Sequence, residues 1–365
     1  MTEKIGPAAS RISRLVRKIH RAKLPAMLVT DPVNVSYLSG FRGDDSWLLV
    51  GGGRPCLLTD FRYTEQAERE CPGVELVIRK DSMIETLVAA VRRRGLRSLG
   101  FDPEAVSVGL KSRLEKALGR RVRLSEAAGL IRDLRICKDE TELRAIRGAL
   151  RVAEAAFGQL RRRLDLGMTE MRIAAELDHL MRLAGAEGSA FRTIVAINAN
   201  AAMPHARPGA RRLRRGSVLL VDFGARVSGY VCDLTRVLFV GRIRPHVRSV
   251  YTIVQEAQAA AIAAARPAAP LIDVDAAARR RIEEAGFGEQ FQHGTGHGIG
   301  REVHEPPNFA RKVKGRLKAG MVVTVEPGIY LRGDFGIRIE DDVLIAPAGP
   351  RVLSRLEKDP EAMVL

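Results

Sequence analysis

Residues 293–305 read His-Gly-Thr-Gly-His-Gly-Ile-Gly-Arg-Glu-Val-His-Glu and set three of the chain's seven histidines beside four alternating glycines. His293 and His297 are four apart, the spacing that puts two metal-binding imidazoles on one helical face in His-Glu-x-x-His. A helix is costly here, because Gly294, Gly296, Gly298 and Gly300 each lose much backbone freedom in one. No Glu follows His293 to act as a base. A phosphate loop would need a Gly-Lys-Ser/Thr ending, and the glycine spacing is not the dinucleotide fingerprint. Two readings remain. One is a Gly-rich loop with satisfied histidines. The other is an extended, tightly packed segment whose glycines admit a close backbone while imidazoles point at a ligand.

Metal-binding histidines need carboxylate company, and acids sit on apolar frames nearby. Val218–Phe223 is a buried-strand run with Asp222 near its end; Gly229–Thr235 restarts a strand after a short turn and carries Asp233. Asp222 and Asp233 are therefore expected to face one another across a hairpin. Met321–Val325 leads into Glu326 before a Pro-Gly break, and Gly336–Ile345 alternates as one strand with Arg338 and Glu340 on the same side. An acid on such a frame is unfavourable to bury unless paired or bound to a metal. Each alone reads as a strand-end carboxylate in water. Together, four carboxylates and an imidazole have the charge to balance two divalent cations, a known means of making hydroxide at neutral pH and polarising a carbonyl.

These motifs resemble the pita-bread metallopeptidases, the family of Xaa-Pro aminopeptidases, prolidases, methionine aminopeptidases and creatinases. The resemblance rests on Asp222, Asp233 in Cys-Asp-Leu-Thr-Arg, His297 in His-Gly-Thr-Gly-His-Gly-Ile-Gly, Glu326 in Val-Glu-Pro-Gly-Ile-Tyr and Glu340 in Gly-Ile-Arg-Ile-Glu-Asp. It covers roughly residues 140 to 350. It implies Asp222 on one metal, His297 and Glu326 on the other, and Asp233 and Glu340 bridging both. By the same comparison His205, in Met-Pro-His-Ala-Arg-Pro, and His304, in Val-His-Glu, are oxyanion donors, and His293 lines the substrate pocket. Glu326 is the expected proton carrier. Arg338 and Thr235 are expected to orient the metal-binding carboxylates from behind, Arg338 acting on Glu340.

Before residue 135 the pattern is α/β. Strand-like runs are Ala26–Thr30, Trp47–Val50, Cys56–Thr59, Leu76–Ile78 and Ser98–Phe101, with helical segments at Ile84–Arg93 and Val108–Leu118. This predicts a mixed sheet, and the resemblance makes residues 1–135 a creatinase-type amino-terminal domain that supports a homodimer. The same resemblance implies a pita-bread catalytic domain at residues 136–365. Its start is marked by Asp139 and Glu142, a capping-box pair opening a helix that runs towards Asp165; a second helix ends near Leu183. Ala257–Ala265, which holds Gln258, reads as a short, closely packed helix.

The first twenty residues carry charges throughout and no secretory pattern, and no stretch approaches the roughly 20 apolar residues of a membrane span. Cys56, Cys71, Cys137 and Cys232 lack Cys-x-x-Cys spacing and read as reduced thiols in a cytoplasmic protein. Cys232 adjoins Asp233 and, by strand alternation, should point away from it. The net charge of +17 comes in separated arginine runs with only 5% aromatics, so solvated faces explain it better than nucleic acid does.

The expected reaction is metal-dependent hydrolysis of an amino-terminal Xaa-Pro bond. Mostly oxygen ligands with one imidazole favour manganese, with cobalt, zinc or iron as alternatives. Some dipeptidase relatives place an arginine soon after Val-His-Glu. Here Pro306-Pro307-Asn308 follows, with Arg311 a little later, which leans towards an aminopeptidase over an Xaa-Pro dipeptidase. The remoter alternative is a non-catalytic binding module of the same fold.

Overall fold

In the amino-terminal part the five expected strands and a further edge strand, Arg123–Glu126, assemble into a six-stranded mixed sheet. The computed structural model describes residues 6–365, which divide into a unit ending at Arg135 and a unit of Ile136–Leu365. In the first unit Ala26–Val29 is central, antiparallel to Ser46–Gly51 and parallel to Ser98–Phe101. Period-two alternation sends Met27, Leu48 and Leu57 into one core and Leu28, Leu49 and Leu58 into another. Helices Pro7–Arg21 and Pro32–Ser39 cover the first face; Met83–Arg93 and Val108–Leu118 cover the second. A sheet buried on both sides explains why its strands read as near-continuous apolar runs.

The second unit opens at Asp139, whose carboxylate accepts from the backbone of Thr141 and Glu142 while the Glu142 side chain accepts from the Asp139 N–H. The capped helix Glu140–Arg163 buries Leu143, Ile146, Leu150, Ala153, Phe157 and Leu160 at helical spacing and packs on Glu170–Leu183. Among the antiparallel sheets that follow, one three-stranded and one five-stranded sheet frame the candidate ligands. The three-stranded sheet runs Leu234–Phe239, Val218–Phe223, Ile194–Ile197; the five-stranded sheet has Val322–Val325 at its centre, between Gly296–Gly298 and Asp341–Ala346. A backbone bridge between Thr235 and Glu340 joins them. The architecture is α/β, a mixed-sheet unit followed by a unit of helices and antiparallel sheets.

Three local expectations are corrected. Gly336–Ile345 is not one strand: Phe335–Arg338 pairs with Gly328–Leu331 and Asp341–Ala346 enters the five-stranded sheet, leaving Glu340 at the break. Strict alternation disguises such a change of partner. Asp222 pairs in register with Thr235 rather than Asp233, because residues 225–231 peel off as a separate ribbon. The Ala-rich segment is the end of a longer helix, Pro245–Ala264, whose earlier turns are rich in β-branched residues of lower helix propensity, among them Val247, Val250, Thr252, Ile253 and Val254.

Candidate metal and active site

Close backbone packing presents His297. A Cβ at Gly296 would overlap the Thr324 carbonyl oxygen and one at Gly298 the Pro306 carbonyl oxygen, so the segment takes the extended, tightly packed form. His297 N–H donates to Thr324 Oγ1 at 3.1 Å, and its ring Nδ1 lies 3.1 Å from the Gly298 carbonyl. That carbonyl can only accept, which assigns the ring proton to Nδ1 and leaves the Nε2 lone pair facing the acids. Burial holds the His297 pKa below its ordinary value, which favours the neutral ring.

Around it the acids converge. One ligand atom each from Asp233, His297 and Glu340 lie within 4.8 Å of one another. Glu326 Oε1 is 3.4 Å from His297 Nε2. Glu326 and Glu340 follow Val325 and Ile339, and Gln258 Nε2 donates to both of those carbonyls at 3.1 Å. Thus the polar residue in the Ala-rich helix pins both acid-bearing breaks. Every expected site residue except Thr235 lines one cavity of about 630 Å³. Thr235 is fully buried, donating to Glu340 Oε2 at 2.6 Å.

The donor set fits divalent cations. Asp222 Oδ1, Asp233 Oδ1 and Glu340 Oε1 are buried without a hydrogen-bond partner among the described residues, an arrangement that costs free energy unless a cation completes it. Burial, reinforced by neighbouring carboxylates, pushes Asp233 and Glu340 well above the usual carboxylate range. Burial raises Glu326 to about 7 against the opposing pull of Arg338. Four crowded acids with too little positive charge are what two divalent ions would correct.

Arg338 departs from its expected role. Its Nη2 donates to Asp222 Oδ2 at 2.5 Å, its Nε to Thr235 Oγ1 at 3.1 Å and its Nη1 to Tyr330 OH at 2.7 Å. It reaches Glu340 only through Thr235, because the chain breaks between the two residues and turns the guanidinium towards the three-stranded sheet. Tyr330 OH in turn lies 2.9 Å from His293 Nε2, while His293 Nδ1 lies 2.8 Å from the Gly294 carbonyl. Arginine, tyrosine and histidine therefore form one directed chain along the cavity wall. Burial lowers His293 from 6.5 to about 4. His304 stacks at a tilt 4.4 Å from the His297 ring, centroid to centroid, and burial lowers its pKa too.

The supports beneath these groups were not read from the sequence. Fully buried Glu170 accepts from the N–H groups of Ile197 and Gly209 at 2.7 and 2.8 Å and from Asn200 Nδ2 at 2.9 Å, anchoring the loop that carries His205. Buried Lys138 meets Glu305 at 3.2 Å, and Glu305 also accepts from the Arg301 and Glu302 N–H groups beside His304. Asp275 and Arg279 hold the backbone of Thr295, Phe291 and His293. An isolated acid on an amphipathic helix gives no sign of such partners. Cys232 Sγ rests on the Ala225 backbone, away from the cavity, as alternation implied. Arg311 lies outside the cavity, 3.7 Å from Glu283.

The pattern described as metallopeptidase family M24 matches residues 144–347, and that of the creatinase/prolidase N-terminal domain matches residues 11–137. An X-Pro aminopeptidase from Thermotoga maritima is 36% identical, with a TM-score of 0.91 covering 96% of this chain and 100% of its own. An Xaa-Pro dipeptidase from Bacillus anthracis is 33% identical, with a TM-score of 0.94 covering 98% and 100%. In sequence, an Xaa-Pro dipeptidase from Pyrococcus horikoshii is 32% identical over 351 residues, 96% of this chain and 98% of that protein.

Proposed function

The chain belongs to metallopeptidase family M24, and from that premise we propose that it is a peptidase hydrolysing the bond between an amino-terminal residue and a following proline. The observation that carries the reading is the convergence of Asp222, Asp233, His297, Glu326 and Glu340 on one cavity, with three of their buried oxygens lacking a partner. Residues 136–365 are then the catalytic domain and residues 1–135 the creatinase-like one.

In this reading Asp222, Asp233, His297, Glu326 and Glu340 would hold two divalent cations, with Asp222 towards one and His297 and Glu326 towards the other. Such a pair supplies Lewis acidity towards the scissile carbonyl and an acidified water. Manganese is our assignment, on the preference of a largely oxygen ligand set for harder ions. Glu326 accepts the proton of the attacking water and returns it to the leaving proline nitrogen. His205 and His304 donate hydrogen bonds to the carbonyl oxygen as it gains negative charge. Thr235 and Arg338 fix the carboxylates of Glu340 and Asp222, so that little reorganisation is left for the reaction. His293, held through Tyr330, shapes the substrate wall.

We assign an aminopeptidase in preference to a dipeptidase, because Asn308 rather than a cation lines the cavity after Val-His-Glu. The dipeptidase reading is favoured by the relatives that bear that name. A matched pair decides: an Xaa-Pro dipeptide and the same peptide extended by one or two residues, assayed after metal removal and manganese readdition. Release of the first residue from the longer peptide is expected to dominate. The reverse preference makes the protein a dipeptidase, and cleavage of neither with any divalent ion refutes the Xaa-Pro assignment.

A further inference from the structure

The cavity wall carries two cations that the reaction does not use. Arg192 and Arg207 line it together with Arg338, and they are exposed where Arg338 is buried against Asp222. Neither guanidinium has an ion pair or hydrogen bond among the described residues.

Both are mounted on anchored backbone. Arg192 precedes Thr193, whose hydroxyl donates to Asp178 at 2.5 Å, and the next residue, Ile194, sits in register opposite Asp222. Arg207 stands two residues after His205. Its carbonyl accepts from Asn200 Nδ2 at 3.4 Å, and Gly209 N–H is bound to Glu170. The guanidinium groups are free while their attachment points are fixed to the same elements that carry the site.

Charge decides what they are for. The four lining carboxylates, Asp222, Asp233, Glu326 and Glu340, match the charge of two divalent cations. With the acids so neutralised, Arg192 and Arg207 stand uncompensated at the edge of a positive cavity, which draws anions. A planar guanidinium best takes up a carboxylate, through two parallel hydrogen bonds. We propose that Arg192 and Arg207 are specificity-determining residues that bind a carboxylate of the peptide substrate. This rests on the peptidase reading above. The carboxylate is either the chain terminus of a short peptide or an acidic side chain beyond the proline.

The test uses four peptides and the full chain with manganese: alanyl-proline against its amide, and the amidated tripeptides Ala-Pro-Glu and Ala-Pro-Gln. At least one acid-to-neutral ratio of kcat/KM should be about fivefold, the range of an exposed ion pair, and should be carried by KM. A ratio in the first pair identifies the terminus as the source, and one in the second pair the side chain. Either ratio should fall to near one in the Arg192→Gln/Arg207→Gln double variant, a change that partial misfolding would not produce. Ratios near one in the natural protein, or ratios retained in the double variant, overturn the proposal. If none of the four is hydrolysed, Xaa-Pro cleavage is refuted separately. Calorimetric Kd ratios for the same pairs then decide the carboxylate question by the same criterion.

Discussion

Replacing Glu170 with Gln changes one oxygen for an NH₂ in a fully buried place. Oε1 accepts from Ile197 N–H and Asn200, and Oε2 from Asn200 and Gly209 N–H. Whichever way the new amide turns, one of the two backbone N–H groups meets a donor. A buried donor left without an acceptor costs roughly 1–3 kcal/mol. For a unit of this size, about 2 kcal/mol lowers Tm by roughly 4–8 °C. The loss falls on the loop bearing His205, so kcat/KM should also fall, by about tenfold if about 1.4 kcal/mol of it is felt in positioning that ring. The control is Glu176→Gln, which loses only a solvent-exposed pair with Arg163 and should shift stability by no more than about 0.5 kcal/mol. Urea unfolding and steady-state kinetics on both variants give the comparison. If Glu170→Gln and Glu176→Gln share an unfolding midpoint, the reasoning that Glu170 secures this loop is refuted.

Metal removal should lower Tm, and readdition of a divalent ion restore it; at about a thousand times Kd, binding to the folded state alone contributes about 4 kcal/mol per site. An unchanged Tm after chelation would contradict a cation filling the partnerless carboxylate oxygens. Gly296→Ala should destabilise by about 1–3 kcal/mol or more, since the added methyl meets the Thr324 carbonyl and its hydroxyl 3.1 Å away; a near-neutral effect in denaturant would show that the close approach is relieved cheaply. His293 has a folded pKa of about 4 against 6.5, so its contribution is intact above pH 6.5 and is lost as pH falls towards 4, up to about 3 kcal/mol. A His293→Asn variant should therefore show a smaller loss of stability than the natural chain between pH 6.5 and 4, and parallel curves would refute the assigned burial cost.

Much of the molecule was legible in its residues because short-range rules decide it. Cys56–Thr59, Ser98–Phe101 and the helix Val108–Leu118 fall where periodicity put them, and Asp139 with Glu142 caps the long helix as their spacing implied. Periods of two and 3.6 and the chemistry of a helix start act over a few residues, so they survive whatever the rest of the chain does. The five candidate ligands stood out for a different reason: an acid or imidazole on an apolar frame is costly unless something compensates it.

Tertiary structure decided which of those groups meet and what holds them. Arg338 and Glu340 share a side of one apparent strand, yet a change of sheet between them sends the guanidinium to Asp222 and Tyr330 and leaves Thr235 as the link. Glu170 binds a loop some 30 residues away, and Gln258 ties Val325 to Ile339 across 67 and 81 residues. Such contacts depend on sheet partners and crossings, which no local pattern encodes. The residue types, the helix starts and the strand periods are thus properties of the sequence alone; the shared cavity, the partnerless oxygens and the supports beneath the histidines exist only once distant segments have packed.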